Sequence, residues 1–354
     1  MLLYRALKNL LGGGSSPDEG EVLKLARELL DQSRGGQAIE LLTTLLGYKP
    51  DCVEGLILRG AAKREAGRVV EALADLDRAD RLAPDDSRCL QELAVAWYLC
   101  GDKRRALEYC VRARRLAQNL DVCCALLAQI TLGDEHYLSV LERIVEFVKP
   151  RTYVEIGIFN GDSLRLARPP TLAIGVDPEP RLTTPPGANA RIFPETSDAF
   201  FANHDLRAEL GGLPVELAFI DGMHHFDFAL RDFANLERYC TRDSTILIHD
   251  CYPLDRETAE RDRRANFWSG DVWRLIVLLK KYRPDLSIRT ISTPPTGLGL
   301  VRNLDPGSRF LFEHHDRLRD EFMALDYSYL DEGKAEKLNL FPNEWDRVRA
   351  LLSA

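Results

Sequence analysis

Thr152-Tyr153-Val154-Glu155-Ile156-Gly157-Ile158-Phe159-Asn160-Gly161-Asp162-Ser163 decides how the second half of this chain folds. A short β-rich run meets two glycines four apart, the pattern of a strand whose chain turns tightly at its carboxyl end. Working outward, five more β-rich runs follow: Leu172 to Asp177, Val215 to Asp221, Thr245 to Asp250, Leu286 to Ser292 and Leu298 to Val301. Between them Asp162 to Ala167, Ser197 to Leu210, Asp227 to Tyr239 and Asp271 to Tyr282 have helical character, and Leu138 to Val148 precedes them, stopped by Pro150. Strands alternating with helices predict a parallel, doubly wound sheet with ligands at the carboxyl ends of the strands.

Four of the runs carry an acid at or near that end: Glu155, Asp177, Asp221 and Asp250. One such acid reads most simply as a turn former or helix cap; four in order make a constellation. The glycine spacing is not the dinucleotide fingerprint, because position 159 is Phe. Asp177, about twenty residues beyond the first glycine, is placed to accept ribose hydroxyls.

The Glu-x-Gly-x-x-x-Gly loop, Gly175-Val176-Asp177 and the segment Ile220-Asp221-Gly222-Met223-His224-His225-Phe226, with Asp232 in the next helix, resemble the class I O-methyltransferases that carry an Ile-Asp-Gly-x-His segment. The resemblance covers roughly residues 138–303 and includes Gly270-Asp271-Val272-Trp273 and Pro295-Thr296-Gly297-Leu298-Gly299. It implies a Rossmann-like domain with a mostly parallel seven-stranded sheet. It also implies S-adenosylmethionine, held by Glu155, Gly157, Gly161, Ser163, Asp177, Ser197 and Asp221, and methyl transfer to a hydroxyl oxygen.

A hydroxyl acceptor must lose its proton near the transition state, so a base or a cation is needed beside it. His224 is the candidate base, with Asp221 and Asp250 completing the catalytic set; a histidine bracing the following helix is the plainer alternative. His225 and His249 rank behind it. The resemblance also offers Asp221, Asp250 and His224 as ligands of Mg²⁺ or another divalent ion, since hard cations favour carboxylates. Here the chain departs from those relatives, which follow the second acid with Asp or Asn; this chain has Cys251. The segment Cys251 to Gly270, with Tyr252, Phe267 and Trp268 amid many charges, reads as a lid or acceptor pocket, or as a solvated helix over Arg256 to Arg264.

The first half repeats at a shift of 34. Ala38, Ala72 and Ala106 form one column, and Leu42, Leu76 and Cys110 another. Leu45, Ala79 and Ala113 follow, Gly67 pairs with Gly101, and Pro50 with Pro84. Leu25, Arg59 and Leu93 hold a large-residue column beside the small Ala26, Gly60 and Ala94. This resembles the tetratricopeptide repeat, in which small residues let paired helices approach closely. Three repeats are expected over residues 17–120, with Asp121 to Leu132 as the cap. The expected concave side carries Leu23, Arg27, Leu30, Ile57, Ala61, Arg64, Gln91, Val95 and Tyr98. It reads as a surface for a protein partner or for self-association, or as a structural arm.

The whole chain has 354 residues and a net charge of -8, which argues against a general nucleic-acid binder. Its eight cysteines show no CxxC pair, so a reduced, cytoplasmic setting is expected. No apolar run is long enough for a transmembrane segment. Met1 to Leu11 reads as a short amphipathic helix, packed or docking, and Gly12 to Ser16 as a linker. The expected organisation is therefore an α array joined to an α/β domain: 1–16 helix and linker, 17–134 repeats with cap, 135–303 methyltransferase domain, 304–354 helical tail. The expected activity is methylation of an acceptor the sequence does not identify. The rival is a scaffold whose cofactor domain no longer turns over.

Overall fold

The computed structural model describes residues 18–116 and 121–353, so the expected N-terminal helix and linker lie outside the described residues. The chain forms two compact units, Met1–Ile130 and Thr131–Ala354. No helix among the described residues is long and apolar enough to cross a membrane.

In the first unit three helical hairpins follow one another: α1 (Glu19–Asp31) with α2 (Gly35–Tyr48), α3 (Val53–Glu65) with α4 (Val69–Leu82), and α5 (Ser87–Leu99) with α6 (Lys103–Leu116). The 34-residue period is visible in the backbone. Ser33, Gly67 and Gly101 all turn the chain between paired helices at φ of 57°, 76° and 83°. The small column is sterically required at Gly60, where a Cβ would lie 2.6 Å from Leu76 Cγ. The large column changes chemistry in the second repeat. Leu25 and Leu41 belong to one apolar cluster, whereas Arg59, one period on, reaches Asp75 through Nε at 2.8 Å and Nη2 at 2.6 Å. Lys63 Nζ joins the same carboxylate at 2.7 Å. Arg27 and Arg64, expected on the concave side, pair with Glu54 and Glu92 of following helices.

Helix α7 (Asp121–Leu132) crosses the division. Its Cys123 is buried and meets Cys110 of α6, while Leu132 belongs to the core of the second unit. The second unit therefore begins slightly before residue 135.

The second unit contains α8 (Tyr137–Val148), β1 (Thr152–Ile156), β2 (Leu172–Val176), β3 (Ala190–Phe193), α9 (Ser197–Asn203), α10 (Leu206–Glu209), β4 (Val215–Ile220), α11 (Phe226–Glu237), β5 (Cys240–Ile248), α12 (Trp273–Tyr282), β6 (Ser287–Ile291) and β7 (Leu298–Arg302). After these come α13 (Phe310–Glu313), α14 (His315–Met323), α15 (Lys334–Lys337), β8 (Leu340–Phe341) and α16 (Trp345–Ser353). The sheet order is β3-β2-β1-β4-β5-β7-β6-β8. It is parallel from β3 to β5, then antiparallel at β5–β7 and β6–β7, with β8 parallel to β6. The count is eight strands rather than seven, because Leu340–Phe341 adds a two-residue edge.

Alternate residues of each central strand feed two separate cores, as strand geometry demands. Val154, Ile156, Ala218 and Ile220 pack with α11, α12 and α14, while Tyr153, Leu217 and Phe219 pack with α8 and α16. Both faces are covered, which is why the runs read as continuously apolar. Residues after Asn303 join this unit's packing: Leu304, Leu311, Leu318, Phe322, Leu330 and Leu338 lie in the first core, and Val348 and Leu352 in the second.

The expected helix over 162–167 is a single 3₁₀ turn, Leu164–Leu166, and that over 197–210 is broken into α9 and α10. The charged segment 256–264 is not helical.

Because Asp75 is 6% exposed and holds two cations, Asp75→Leu should strand both and cost about 3–5 kcal/mol. Urea unfolding of the full chain, followed by far-ultraviolet circular dichroism, should show that loss in the helical transition. An unchanged midpoint would mean the triad carries little stability.

Candidate functional site

Four loops meet at the carboxyl ends of the parallel strands, each tied to its neighbour by a backbone bond. Gly157 N donates to Val176 O at 2.8 Å, Asp177 N to Phe193 O at 3.1 Å, Asp221 N to Ile156 O at 2.8 Å and His249 N to Ile220 O at 2.9 Å. They border a cavity of about 660 Å³, within the usual range for small-molecule sites. Asp162, Asp177, Asp221 and Asp232 line it, with Arg263 as the one Arg or Lys among the described residues.

The glycine loop is held from three sides. Gly157 has φ +87°, and a Cβ there would lie 2.1 Å from the Asp221 carbonyl oxygen. Its bareness serves the fit of one loop against the next, and Gly157 also lines the cavity. Gly161, at φ +81°, would meet Leu182. Asp177 Oδ2 accepts from Ile158 N and Phe159 N, both at 2.9 Å, and its Oδ1 accepts from Glu179 N at 2.8 Å. The carboxylate so braces the loop, fixing Phe159 at φ 45°, yet keeps acceptor capacity toward the cavity.

Glu155 does not line the cavity. It is buried beneath the loop, accepting from Tyr153 Oη at 2.7 Å and Ser163 Oγ at 2.6 Å. Burial pushes its carboxyl up to about 8, against the lowering effect of those two hydroxyls. Ser163 and Ser197 both border the cavity.

At the other end, β4 and β5 bring Asp221 and Asp250 together. His224 Nδ1 lies 2.7 Å from Asp250 Oδ2, and its Nε2 lies 3.8 Å from Asp221 Oδ1. The shorter contact is an ion-pair distance without hydrogen-bond direction, so Nδ1 is buried and lacks a hydrogen-bond partner among the described residues. Burial works against a charge on His224, but the Asp250 carboxylate outweighs it and raises the imidazole above its ordinary range. His224 (φ 55°) and Asp250 (φ 60°) both have left-handed backbones that non-glycine residues seldom adopt.

His249, ranked low from sequence, is an integral part of this cluster. Its Nδ1 lies 3.0 Å from Asp221 Oδ1 and 3.4 Å from Asp250 Oδ2, and its ring packs 4.1 Å from that of Tyr137. Burial opposes its charge, yet the two carboxylates hold the imidazole well above its usual value. Asp250, opposed by burial, is held well below the carboxylate range by His224 and His249, and Thr296 Oγ1 donates to its Oδ1 at 2.7 Å. Nothing in the spacing of Thr296 signals that contact.

The segment 251–270 wraps over the histidines. Trp268 stacks on His224 at 5.2 Å and 4° between planes. Asp271 N donates to His224 O at 3.2 Å, and a Cβ on Gly270 would sit 1.9 Å from that oxygen. Cys251 points away, fully buried in the core beside Gly299. Position 251 is therefore not an empty ligand place in this chain. Ligand atoms of Asp221, His224 and Asp250 all lie within 4.8 Å of one another.

The tetratricopeptide repeat family matches residues 23–87, and a methyltransferase domain family matches 154–251. One part of the chain therefore matches tetratricopeptide repeats and another a methyltransferase domain. No curated protein matches it. Among solved structures it is similar to cofactor-bound Rv0187 from MTB, at 17% identity and TM-score 0.38, covering 47% of this chain and 79% of that one. A candidate O-methyltransferase from Klebsiella pneumoniae is 14% identical, with TM-score 0.38 and coverage of 48% and 80%. A thermophilic repeat protein of Thermus thermophilus is 23% identical, with TM-score 0.31 and coverage of 42% and 77%.

The raised Glu155 carboxyl gives a pH signature. Between its ordinary 4.5 and about 8 the folded state keeps a proton that the unfolded chain releases. Stability from this group is therefore complete at low pH and is lost as pH rises through that window. Urea midpoints of the wild type should fall from about pH 5 to about pH 8 more steeply than those of Glu155→Gln. Parallel profiles would show that Glu155 titrates as an ordinary carboxylate.

Proposed function

We infer that the second unit is an S-adenosylmethionine-dependent O-methyltransferase. The single observation that carries this is the cavity joining the glycine loop and Asp177 to the Asp221, His224, Asp250 and His249 cluster. An acidic lining suits a ligand with a positive sulfonium and ammonium. Asp177 has acceptor capacity for ribose hydroxyls, and the loop Gly157–Ser163 together with Ser197 and Asp221 would hold the rest. When bound, S-adenosylmethionine supplies a methyl group activated for transfer.

This chain's own residues then handle the acceptor. His224 Nε2 is beyond hydrogen-bond range of Asp221, which leaves it for the hydroxyl proton. Asp250, beside the other ring nitrogen, stabilises the imidazolium that forms. The stacked Trp268 fixes the ring, and the wrapped segment 251–270 limits water. His249, set between the two carboxylates, offsets part of their mutual repulsion.

A second reading has its own support: the converging ligand atoms and the misdirected Nδ1 of His224 also suit a divalent cation held by Asp221, His224 and Asp250. The repeats are proposed to engage a protein partner or a second copy of the chain.

Calorimetry should show S-adenosylmethionine binding and no nicotinamide dinucleotide binding, with Asp177→Ala weakening the first about tenfold or more. Release of S-adenosylhomocysteine should be followed over hydroxylated acceptors. If His224 is the base, His224→Ala removes about 10²–10⁴ of the rate and chelator has no effect. If a cation is used, chelator abolishes turnover and Mg²⁺ or Mn²⁺ restores it. Turnover that survives both treatments would place the chemistry elsewhere; cofactor binding without turnover on any acceptor would favour the scaffold.

A further inference from the structure

The segment 251–270 carries one side chain that the chemistry above leaves without a task. Among the described residues of that segment only Arg263 borders the cavity. The arginines on either side of it are already paired: Arg261 Nη1 lies 2.7 Å from Asp227 Oδ1, and Arg264 Nη2 lies 3.1 Å from Glu260 Oε2. Arg263 has no carboxylate partner among the described residues, although Asp162, Asp177, Asp221 and Asp232 line the same cavity. Its Nε donates to Ala265 O at 3.2 Å and its Nη2 to Asn266 O at 3.3 Å. Those two bonds hold one edge of the guanidinium and leave Nη1 with no acceptor among the described residues. An arginine held only by neutral carbonyls keeps its charge uncompensated for a ligand.

The loop that carries Arg263 is tied to the reacting end on both sides of it. Before it, Arg261 O lies 3.1 Å from His225 Nε2. After it, Trp268 Nε1 donates to Glu260 O at 2.6 Å, and the Trp268 ring stacks on His224. The cation and the candidate base therefore border one cavity from a common support. The acids of that cavity suit the sulfonium and ammonium of the cofactor, and a guanidinium does not. An anion on the second substrate does suit it.

We propose that the methyl acceptor is an anionic hydroxyl compound, whose carboxylate or phosphate pairs with Arg263 while its hydroxyl meets His224. The proposal rests on the O-methyltransferase reading above. The planar guanidinium matches both anions through directed N–H···O bonds, and a neutral acceptor leaves that charge unpaired. Arg263 takes no part in the proton transfer; it decides which acceptors enter and by which end.

Arg263 is exposed, so substitutions there leave the packing intact. Calorimetry on the full chain first compares S-adenosylhomocysteine binding by wild type and Arg263→Gln, which should agree within about threefold. With that ligand saturating, para-hydroxybenzoate is compared with its neutral amide, and glycerol phosphate with glycerol. In wild type at least one acid should outbind its neutral partner by about tenfold or more, and the pair that does so tells carboxylate from phosphate. Arg263→Gln should remove the preference and Arg263→Lys should keep part of it. Arg263→Glu should reverse it, so that para-hydroxybenzylamine binds more tightly than para-hydroxybenzoate. A residue that merely shapes the loop cannot produce that reversal. No preference for either acid in wild type overturns the proposal, as does a preference that survives Arg263→Gln. Loss of S-adenosylhomocysteine binding in Arg263→Gln also overturns it, because the arginine then serves the cofactor's own carboxylate. Failure of wild type to bind S-adenosylhomocysteine overturns the cofactor reading and this inference with it, whereas the other failures overturn this inference alone.

Discussion

No side chain fits at position 157, because the peptide of Asp221 occupies the space its Cβ would need. That contact locks the loop after β1 to the loop after β4, and the remaining site geometry follows from it. With Asp221 N bonded to Ile156 O, and His249 N to Ile220 O, the first catalytic candidate, the glycine loop and the second histidine share one frame. Asp177 extends the frame by binding the amides of Ile158 and Phe159. The loops are positioned by the sheet's own edge rather than by a ligand, which is the preorganisation a transfer site needs.

Such convergence has an electrostatic consequence. Parallel strands deliver their terminal acids to one rim, and like charges at that range raise each other's cost of ionising. The chain answers with two imidazoles. His249 spans Asp221 and Asp250, and His224 adds a contact to Asp250, so the acids at the reacting end are balanced internally. Asp162, Asp177 and Asp232 lack a histidine of this kind. Asp162 pairs with Arg165 and burial raises the Asp232 carboxyl to about 7, which leaves Asp177 to face the part of the cavity assigned to a cationic ligand.

Much of this could be read from the residues, for physical reasons. Strands buried on both faces leave continuous apolar runs, and repeated hairpins leave columns 34 apart. The failures share a cause, which is tertiary contact overriding local preference. Residues 256–264 have helix-forming composition, yet their carbonyls are claimed elsewhere: Thr258 O by Ser269, Glu260 O by Trp268 Nε1, Arg261 O by His225. Strand β3 escaped notice because it is four residues long and only partly buried, including Arg191. His249 and Thr296 joined the site through register, His249 by lying between the two acids and Thr296 by reaching back from the turn before β7. Neither position is marked by spacing.

Cys251 shows how a departure from a family pattern should be weighed against geometry. From sequence it looks like a lost ligand, which weakens both the metal reading and the case for an active enzyme. In the fold its Sγ lies 3.2 Å from Ile248 O, packed where a Cβ on Gly299 would come within 2.8 Å. A carboxylate there would be buried in the apolar core, at a cost of several kcal/mol unless paired. The thiol therefore suits the direction in which this backbone turns, and the left-handed conformation of Asp250 sets that direction. The substitution removes nothing from the cavity. The two carboxylates hold His249 between them at 3.0 Å and 3.4 Å, so an ion bound by Asp221 and Asp250 would compete with that imidazole for the same oxygens.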